Sequence, residues 1–214
     1  MINMRRLQHW GGVVLVILCM LSLAIFLTVN SSWLFRLMVG DSEIVKTLGL
    51  STHQLMKNYG QLLSFLQLPW VSLDMTNFPT SFSGMHHFED VKKLILFNNT
   101  VLILTIMPTG LYLRKLYREF RLWLLDLPLN ITAMVLLVAS AMMAVNFNQF
   151  FIGFHELFFR NQDWLFDPQT DPIILVLPEN FFYACFALAF VLFELQILAI
   201  WLMIKRQQKK ALKH

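Results

Sequence analysis

The sequence predicts an all-α integral membrane protein, with four transmembrane helices under an extracellular, partly helical cap. Three observations carry that expectation. Of the 214 residues, 57% are hydrophobic and the mean hydropathy is +0.59, whereas an ordinary soluble domain is about 45–50% apolar. Charge is withheld from four long stretches. No Asp, Glu, Lys or Arg occurs between Arg6 and Arg36, between Lys93 and Arg114, or between Asp126 and Glu156, and Glu194 is the one charged residue between Glu179 and Lys205. Each stretch holds the roughly 20 mostly apolar residues, at about 1.5 Å each, that crossing a bilayer requires. Third, the basic residues divide unevenly between the segments that these spans separate.

The spans fall near 11–30, 94–113, 129–148 and 181–204 of one integral membrane domain, 1–214. Arg5 and Arg6 ahead of the first span give it the look of a signal peptide. The apolar run is too long for a signal h-region and no clear small-x-small cleavage site closes it, so a retained signal anchor is expected. Pro108 lies inside the second span and is expected to kink it. Glu194 is the one ionisable group within a span, a placement that raises suspicion of function. It lies toward the cytoplasmic half, far from the histidines discussed below, and a structural hydrogen bond is expected there. Cys19 and Cys185 both fall inside spans, leaving no disulfide framework and no zinc-ligand spacing.

Lys and Arg concentrate on the cytoplasmic side of membrane proteins. One side of these spans holds Arg5, Arg6, Arg114, Lys115, Arg118, Arg121, Lys205, Arg206, Lys209, Lys210 and Lys213; the other holds Arg36, Lys46, Lys57, Lys92, Lys93 and Arg160. Both termini are therefore expected in the cytoplasm, with segments 31–92 and 149–180 outside. The net charge of +4 is a topology signal, and nucleic-acid binding has no support.

Segment 31–92 is too long for a simple connection and is expected to be structured. Asp41 or Ser42 can cap a short helix that Gly49 ends. Ser51-Thr52-His53-Gln54 fits a capping box. Leu55, Tyr59, Leu62 and Leu66 then recur at helical spacing, with Met56 and Leu63 beside them, until Pro69. That helix is expected either to lie flat on the leaflet or to pack on the tops of the spans. Ser83 can cap a helix that runs through His86, His87 and Asp90 into the second span. Residues 148–160 are expected to continue the third span outward as a helix.

These extensions put His86 or His87 and His155 at similar depth, each roughly 10 Å beyond its span at 1.5 Å per residue. Histidine exchanges protons near neutral pH without special tuning, so two at one depth can serve as general base and general acid. Asp90, three residues after His87, is placed to accept one imidazole N–H and set the tautomer. Glu156 and Arg160, four apart, are placed to pair. The plainer reading of these histidines, and of His9, His53 and His214, is amphipathic residues with a wet tip. The plainer reading of Phe150, Phe151, Phe154, Phe158, Phe159, Trp164 and Phe166 is an interfacial aromatic belt. Asp163, Asp167 and Asp171 lack the glycine and closing glutamate of a calcium loop. His155-Glu156 begins like a zinc-protease motif, but Phe159 stands where the second histidine belongs. No metal site is expected.

Two pieces of the sequence resemble the lipoprotein intramolecular transacylases of low-GC Gram-positive bacteria. His87-Phe88-Glu89-Asp90-Val91-Lys92 matches that family's His, Phe or Met, any residue, Asp, Val, Lys stretch entering the second span. Phe154-His155-Glu156-Leu157-Phe158-Phe159-Arg160-Asn161 is longer and more specific, and Trp164, Phe166, Pro168, Asp171 and Pro178-Glu179 follow in the family's order. The doubled His86-His87 is a departure; His87 aligns because Asp-Val-Lys follows it. The resemblance implies four spans under an extracellular cap, with catalytic His87 and His155 at their interface. His86, Asp90, Phe154, Glu156, Asn161, Trp164, Asp171 and Glu179 would bind substrate or support the site. The implied reaction moves the sn-2 acyl chain of a diacylglyceryl lipoprotein to the α-amine of its N-terminal cysteine, giving the lyso-form. Diacylglyceryl lipoproteins and membrane lipid are the implied partners, and no cofactor is needed.

Two other readings compete. In one, His155 and His86 or His87 are axial ligands of a membrane haem; in the other, the chain is a non-enzymatic scaffold that tolerates loss of both histidines. The topology has its own test. Cysteines introduced at Ser72 and Gln169 are expected to react with an impermeant reagent in intact cells, and one at Lys210 is not. Labelling at Lys210 from outside would overturn the orientation.

Overall fold

A computed structural model describes residues 4–40 and 42–211. Asp41, Lys213 and His214 lie outside the described residues. The elements run α1 (Met4–Val29), α2 (Ser32–Val39), α3 (Glu43–Thr47), α4 (Thr52–Gln67), α5 (Phe82–Arg118), a 3-10 turn (Leu122–Leu125), α6 (Asp126–Val145), α7 (Phe147–Phe158), a second 3-10 turn (Pro172–Val176) and α8 (Glu179–Ala211). There is no strand among the described residues. Four stretches are long and apolar enough to cross a membrane: Leu7–Val29, Phe82–Arg118, Leu122–Val145 and Glu179–Lys210. These are the four expected spans. The 37 residues of α5 are about 55 Å long at 1.5 Å each, well beyond a hydrocarbon core of about 30 Å. The charge-free 94–113 is the spanning part, and the charged first three turns extend past it.

The chain forms two compact units, the first comprising Met1–Ile25, Asn98–Ala141 and Ala189–His214. Its core joins Val13, Val16, Met20 and Ala24 of α1 to Leu116, Leu122, Leu125, Leu129, Phe193, Ile197, Ile200 and Ile204. Within its apolar window α1 is 44% buried, against 22% for the other three spans, so α1 is the helix they surround. Gly12 lets α5 approach, because a Cβ there would enter the Tyr112 ring. Side-chain amides reach across to backbone: Asn98 Nδ2 donates to Ser22 O (3.2 Å), Gln196 Nε2 to Met20 O (3.1 Å) and Gln207 Nε2 to Tyr117 O (2.7 Å). Helix–helix association in lipid uses such bonds because apolar burial gives little drive there. Helix α5 stays unbroken past Pro108. It ends where Phe120 takes φ 57° and the Arg121 N–H returns to Leu116 O (2.8 Å). Glu194 departs from expectation: its Oε1 is buried without a hydrogen-bond partner.

The second unit comprises Phe26–Phe97 and Met142–Leu188. Its short helices behave largely as the sequence predicts. Ser42 precedes α3, though its hydroxyl makes no cap bond, and Gly49 turns the chain with φ +66°. The Ser51/Gln54 capping box opens α4. The stripe Leu55, Tyr59, Leu62 and Leu66 is buried, so α4 is a packed helix. Phe35 stacks on Tyr59 at 3.9 Å and meets Phe181 edge-on at 5.2 Å, within the range of favourable aromatic pairs. Leu34, Val39, Val45, Phe65, Met75, Phe78, Phe88, Ile173, Val176 and Leu177 complete the core. Asn58, fully buried, exchanges two bonds with Asn77 and so ties segment 68–80 to α4.

Two helix boundaries differ from expectation. Ser81, two residues before Ser83, caps α5: its Oγ accepts from Gly84 N (3.0 Å), and its carbonyl from Met85 N (2.9 Å). The third span does not continue through 160. Asn146 is extended (φ −153°, ψ 90°) and its side chain accepts from Gln149 N, which starts α7 as a separate helix. Asn in that role satisfies an otherwise unpaired backbone N–H.

Asp171 holds the start of α5. It is 2% exposed and accepts from Ser81 N (2.8 Å), Ser81 Oγ (2.6 Å) and Thr170 Oγ1 (3.0 Å). Its carboxylate occupies the space a Cβ on Gly84 would need. Asp171→Ala leaves a Ser81 donor unpaired, so thermal unfolding in detergent should show a loss of about 1–3 kcal/mol. Gly84→Ala should shift in the same direction, and Asp171→Asn, which keeps one acceptor, should lose less.

Candidate active site

Neighbouring residues on a helix point about 100° apart, and this separates the paired histidines. On the first turns of α5, His87 faces inward at 8% exposure, while the His86 side chain is 46% exposed. His155 sits in the last turn of α7 at 7% exposure. The new helix started by Asn146 brings it to His87, and the two imidazole centroids are 5.7 Å apart.

The pair is enclosed by rings. Phe159 and Phe166 meet His87 edge-on at 4.8 and 5.5 Å. Trp164 lies 4.7 Å and Phe151 4.2 Å from His155. His155 Nδ1 contacts Phe151 O at 2.8 Å. A carbonyl only accepts, so Nδ1 carries the proton and Nε2 of the neutral ring keeps its lone pair. His87 Nδ1 is buried with no partner. An unmet buried polar atom costs stability, and such atoms mark places where a ligand can complete the bonding.

Burial is the first cause of the electrostatics here. It lowers the His87 pKa to about 4, with His155 beside it acting in the same direction. It also lowers His155, against a smaller opposing effect of the Phe151 bond. Both imidazoles are therefore neutral at pH 7, and mutual repulsion disfavours charging them together. His86 differs: its contact with Asp163 raises its pKa.

The other residues singled out by sequence divide into three groups. Asp90, Asn161 and His86 belong to one polar chain beside the histidines, but not in the arrangement expected. Asp90 does not hold His87. It accepts from Lys93 Nζ (2.8 Å) and Asn161 Nδ2 (3.1 Å), and the Lys93 bond is the main reason its pKa is lowered. The Asp163 N–H donates to Asn161 Oδ1 (3.2 Å), and Asp163 Oδ2 meets His86 Nδ1. Trp164 and Phe154 contact His155 directly, Phe154 edge-on at 5.6 Å. Asp171, Glu156 and Glu179 lie elsewhere. Asp171 anchors Ser81; Glu156 is exposed and makes no ion pair with Arg160 among the described residues; Glu179 is exposed in the first turn of α8. In the sequence Asp163 stands out only as part of an incomplete calcium loop. It is 77 positions from His86, so no local spacing relates them; the Asn-x-Asp turn at 161–163 was the available signal.

Four bilayer-length helices and two buried, facing imidazoles define a multi-pass membrane protein with a two-histidine site. The family model for lipoprotein intramolecular transacylase Lit matches residues 11–182, and the chain belongs to that family of transacylases. Among solved structures it is similar to the membrane integral lipoprotein intramolecular transacylase Lit from Bacillus cereus. The TM-score is 0.88 at 25% identity, covering 99% of both chains. Two further structures of the Bacillus cereus protein, with a histidine replaced by arginine in one and alanine in the other, share the fold at 24% identity. Their TM-scores are 0.82 and 0.83, with 99% of this chain and 95% and 96% of theirs covered. No curated protein matches the chain. With family membership, the haem and scaffold readings give way to an enzyme.

Followed by NMR in detergent, His87 and His155 are expected to titrate below 6.5 and His86 above it. His155→Gln should raise His87 part of the way back, leaving the share due to burial. An unperturbed His87 in the folded protein would contradict the enclosed pair. The sign for stability follows. Above pH 6.5 His87 is neutral folded and unfolded; as pH falls toward 4 only the unfolded chain takes the proton, so folding weakens across that window.

Proposed function

We propose that this chain moves the sn-2 acyl chain of a diacylglyceryl lipoprotein to the α-amine of its own N-terminal cysteine. His155 takes and returns the proton, and His87 supplies a hydrogen bond. The carrying observation is the enclosed imidazole pair, one ring locked by Phe151 with a free lone pair, the other with an unmet nitrogen.

The chemistry fits groups of low basicity. The reference pKa of an α-amine is about 7.7–8.0, so part of it is uncharged at neutral pH without help. The amine nitrogen attacks the ester carbonyl carbon, and the nitrogen becomes acidic as that bond forms. His155 Nε2 accepts its proton. The carbon–oxygen ester bond then breaks, and the imidazolium returns the proton to the departing glyceryl oxygen. His87 donates to the oxyanion that forms between these steps. Acid–base help of this kind contributes about 10²–10⁴-fold. Holding both reacting groups, which belong to one molecule, can contribute effective molarities of about 10⁵–10⁸ M. No enzyme nucleophile is required. Cys19 is buried, and Ser81 is committed to Asp171. The Lys/Arg asymmetry supports a site that faces the outside, with both termini in the cytoplasm. Diacylglyceryl lipoproteins presented in membrane lipid are the partners.

The test uses a co-expressed lipoprotein and mass spectrometry of its N-terminal peptide. His87→Ala and His155→Ala are expected to abolish lyso-form product while the protein still inserts. His53→Ala, Cys19→Ala, Cys185→Ala and Ser83→Ala should keep substantial activity. Two lipoproteins with isotopically distinct acyl chains should give no crossed product. Crossed product or an acyl adduct on the enzyme would mean a two-step transferase.

A further inference from the structure

With His87 and His155 at 8% and 7% exposure, a glyceryl ester and an amine gain full access to the imidazole nitrogens only if something moves. The covering rings identify what must. Phe159, Trp164 and Phe166 all come from one stretch, 159–171, which has no helix or strand and connects α7 to the second 3-10 turn. Its polar attachments at the start of α5 are unequal. At its far end Asp171 is 2% exposed and triply bonded at Ser81 and Thr170. In its middle, Asp163 meets His86 with side chains 28% and 46% exposed, assisted by the Asn161–Asp90 bond. Exposed ion pairs contribute only about 0–1 kcal/mol, so the middle attachment exchanges with water easily, while the buried one does not.

We infer that residues 159–171 are a lid over the histidine pair, hinged at Asp171 and latched by Asp163 on His86, and that Asp163 and His86 are positioning residues for the reaction. The inference rests on the proposed transacylation. The latch parts to admit the lipoprotein head. On closing it returns Trp164 to His155 and Phe159 and Phe166 to His87, and it excludes water. Lids of this kind shield reactive intermediates from solvent. Without closure, water attacks the ester carbonyl in place of the amine. The carbon–oxygen bond breaks, the glyceryl oxygen gains a proton, and free fatty acid leaves.

The test locks the latch reversibly. His86→Cys with Asp163→Cys, made in a Cys19→Ala/Cys185→Ala background, is placed in liposomes and bridged by a short bis-methanethiosulfonate. Lyso-form product from a diacylglyceryl lipopeptide should drop sharply relative to the same protein unbridged, and a thiol reductant should restore it. A bridged enzyme as fast as the unbridged one would overturn the lid. Absence of product from the wild-type protein as well would instead sink the transacylation reading. A second measurement needs no activity. In Asp163→Asn, diethyl pyrocarbonate should modify His87 and His155 several-fold faster than in wild type, with His53 unchanged and Asp163→Glu close to wild type. Equal rates in Asp163→Asn and wild type would overturn the lid. Asp163→Asn should also release more free fatty acid per lyso-form product, a partition that a merely structural role would not move.

Discussion

Removing two imidazoles from water side by side is the constraint around which the second unit is organised. Each ring loses hydration, and each opposes the charging of its neighbour, so both become weak, neutral bases. That state is maintained by the rings that contact the pair: Phe151, on the same helix, and Trp164 against His155, and Phe159 with Phe166 against His87. The enclosure has a chemical benefit. A neutral imidazole whose one N–H is bound to a carbonyl offers its other nitrogen as an acceptor at any pH above its lowered pKa.

Two chain features make the enclosure possible. The first is the surplus length of α5. A helix of 37 residues extends well past the hydrocarbon, so a rigid element rather than a loop presents His87. Its first turn is fixed by Asp171 against Gly84 and Ser81, which sets the rotation that turns His87 inward and His86 outward. The second is the break at Asn146. Had α6 continued straight, His155 would have kept the direction of the span. A single extended residue with a self-capping side chain lets α7 take its own direction toward His87.

The polar groups beside the pair are used differently from the histidines themselves. Asp90, Asn161, Asp163 and His86 bond to one another and to Lys93, and none of them bonds to His87 or His155. They join the aromatic segment 159–171 to the first turns of α5. The charged residues of the family-like motifs thus lie at one remove from the imidazoles, while the aromatic residues touch them directly. An aromatic-rich stretch that reads as a membrane-interface belt is here partly a cover for two histidines.

The sequence by itself determined the four spans, the Ser51/Gln54 box and buried stripe of α4, the Gly49 turn and the family, together with the two histidines as the groups to examine. Those features are local or compositional: charge-free length, capping chemistry and periodicity depend on residues within a few turns of one another. Tertiary structure alone decided that Ser81 rather than Ser83 caps α5, that Asn146 breaks the third helix, that Asp90 serves Asn161 instead of His87, and that Asp163 belongs with His86. Each of these depends on partners distant in sequence or on competition for one backbone position. Ser81 wins the cap because Asp171, 90 positions away, holds it there. Asp90 and Asp163 meet Asn161 and His86, 71 and 77 positions away, and residue spacing does not encode such pairs.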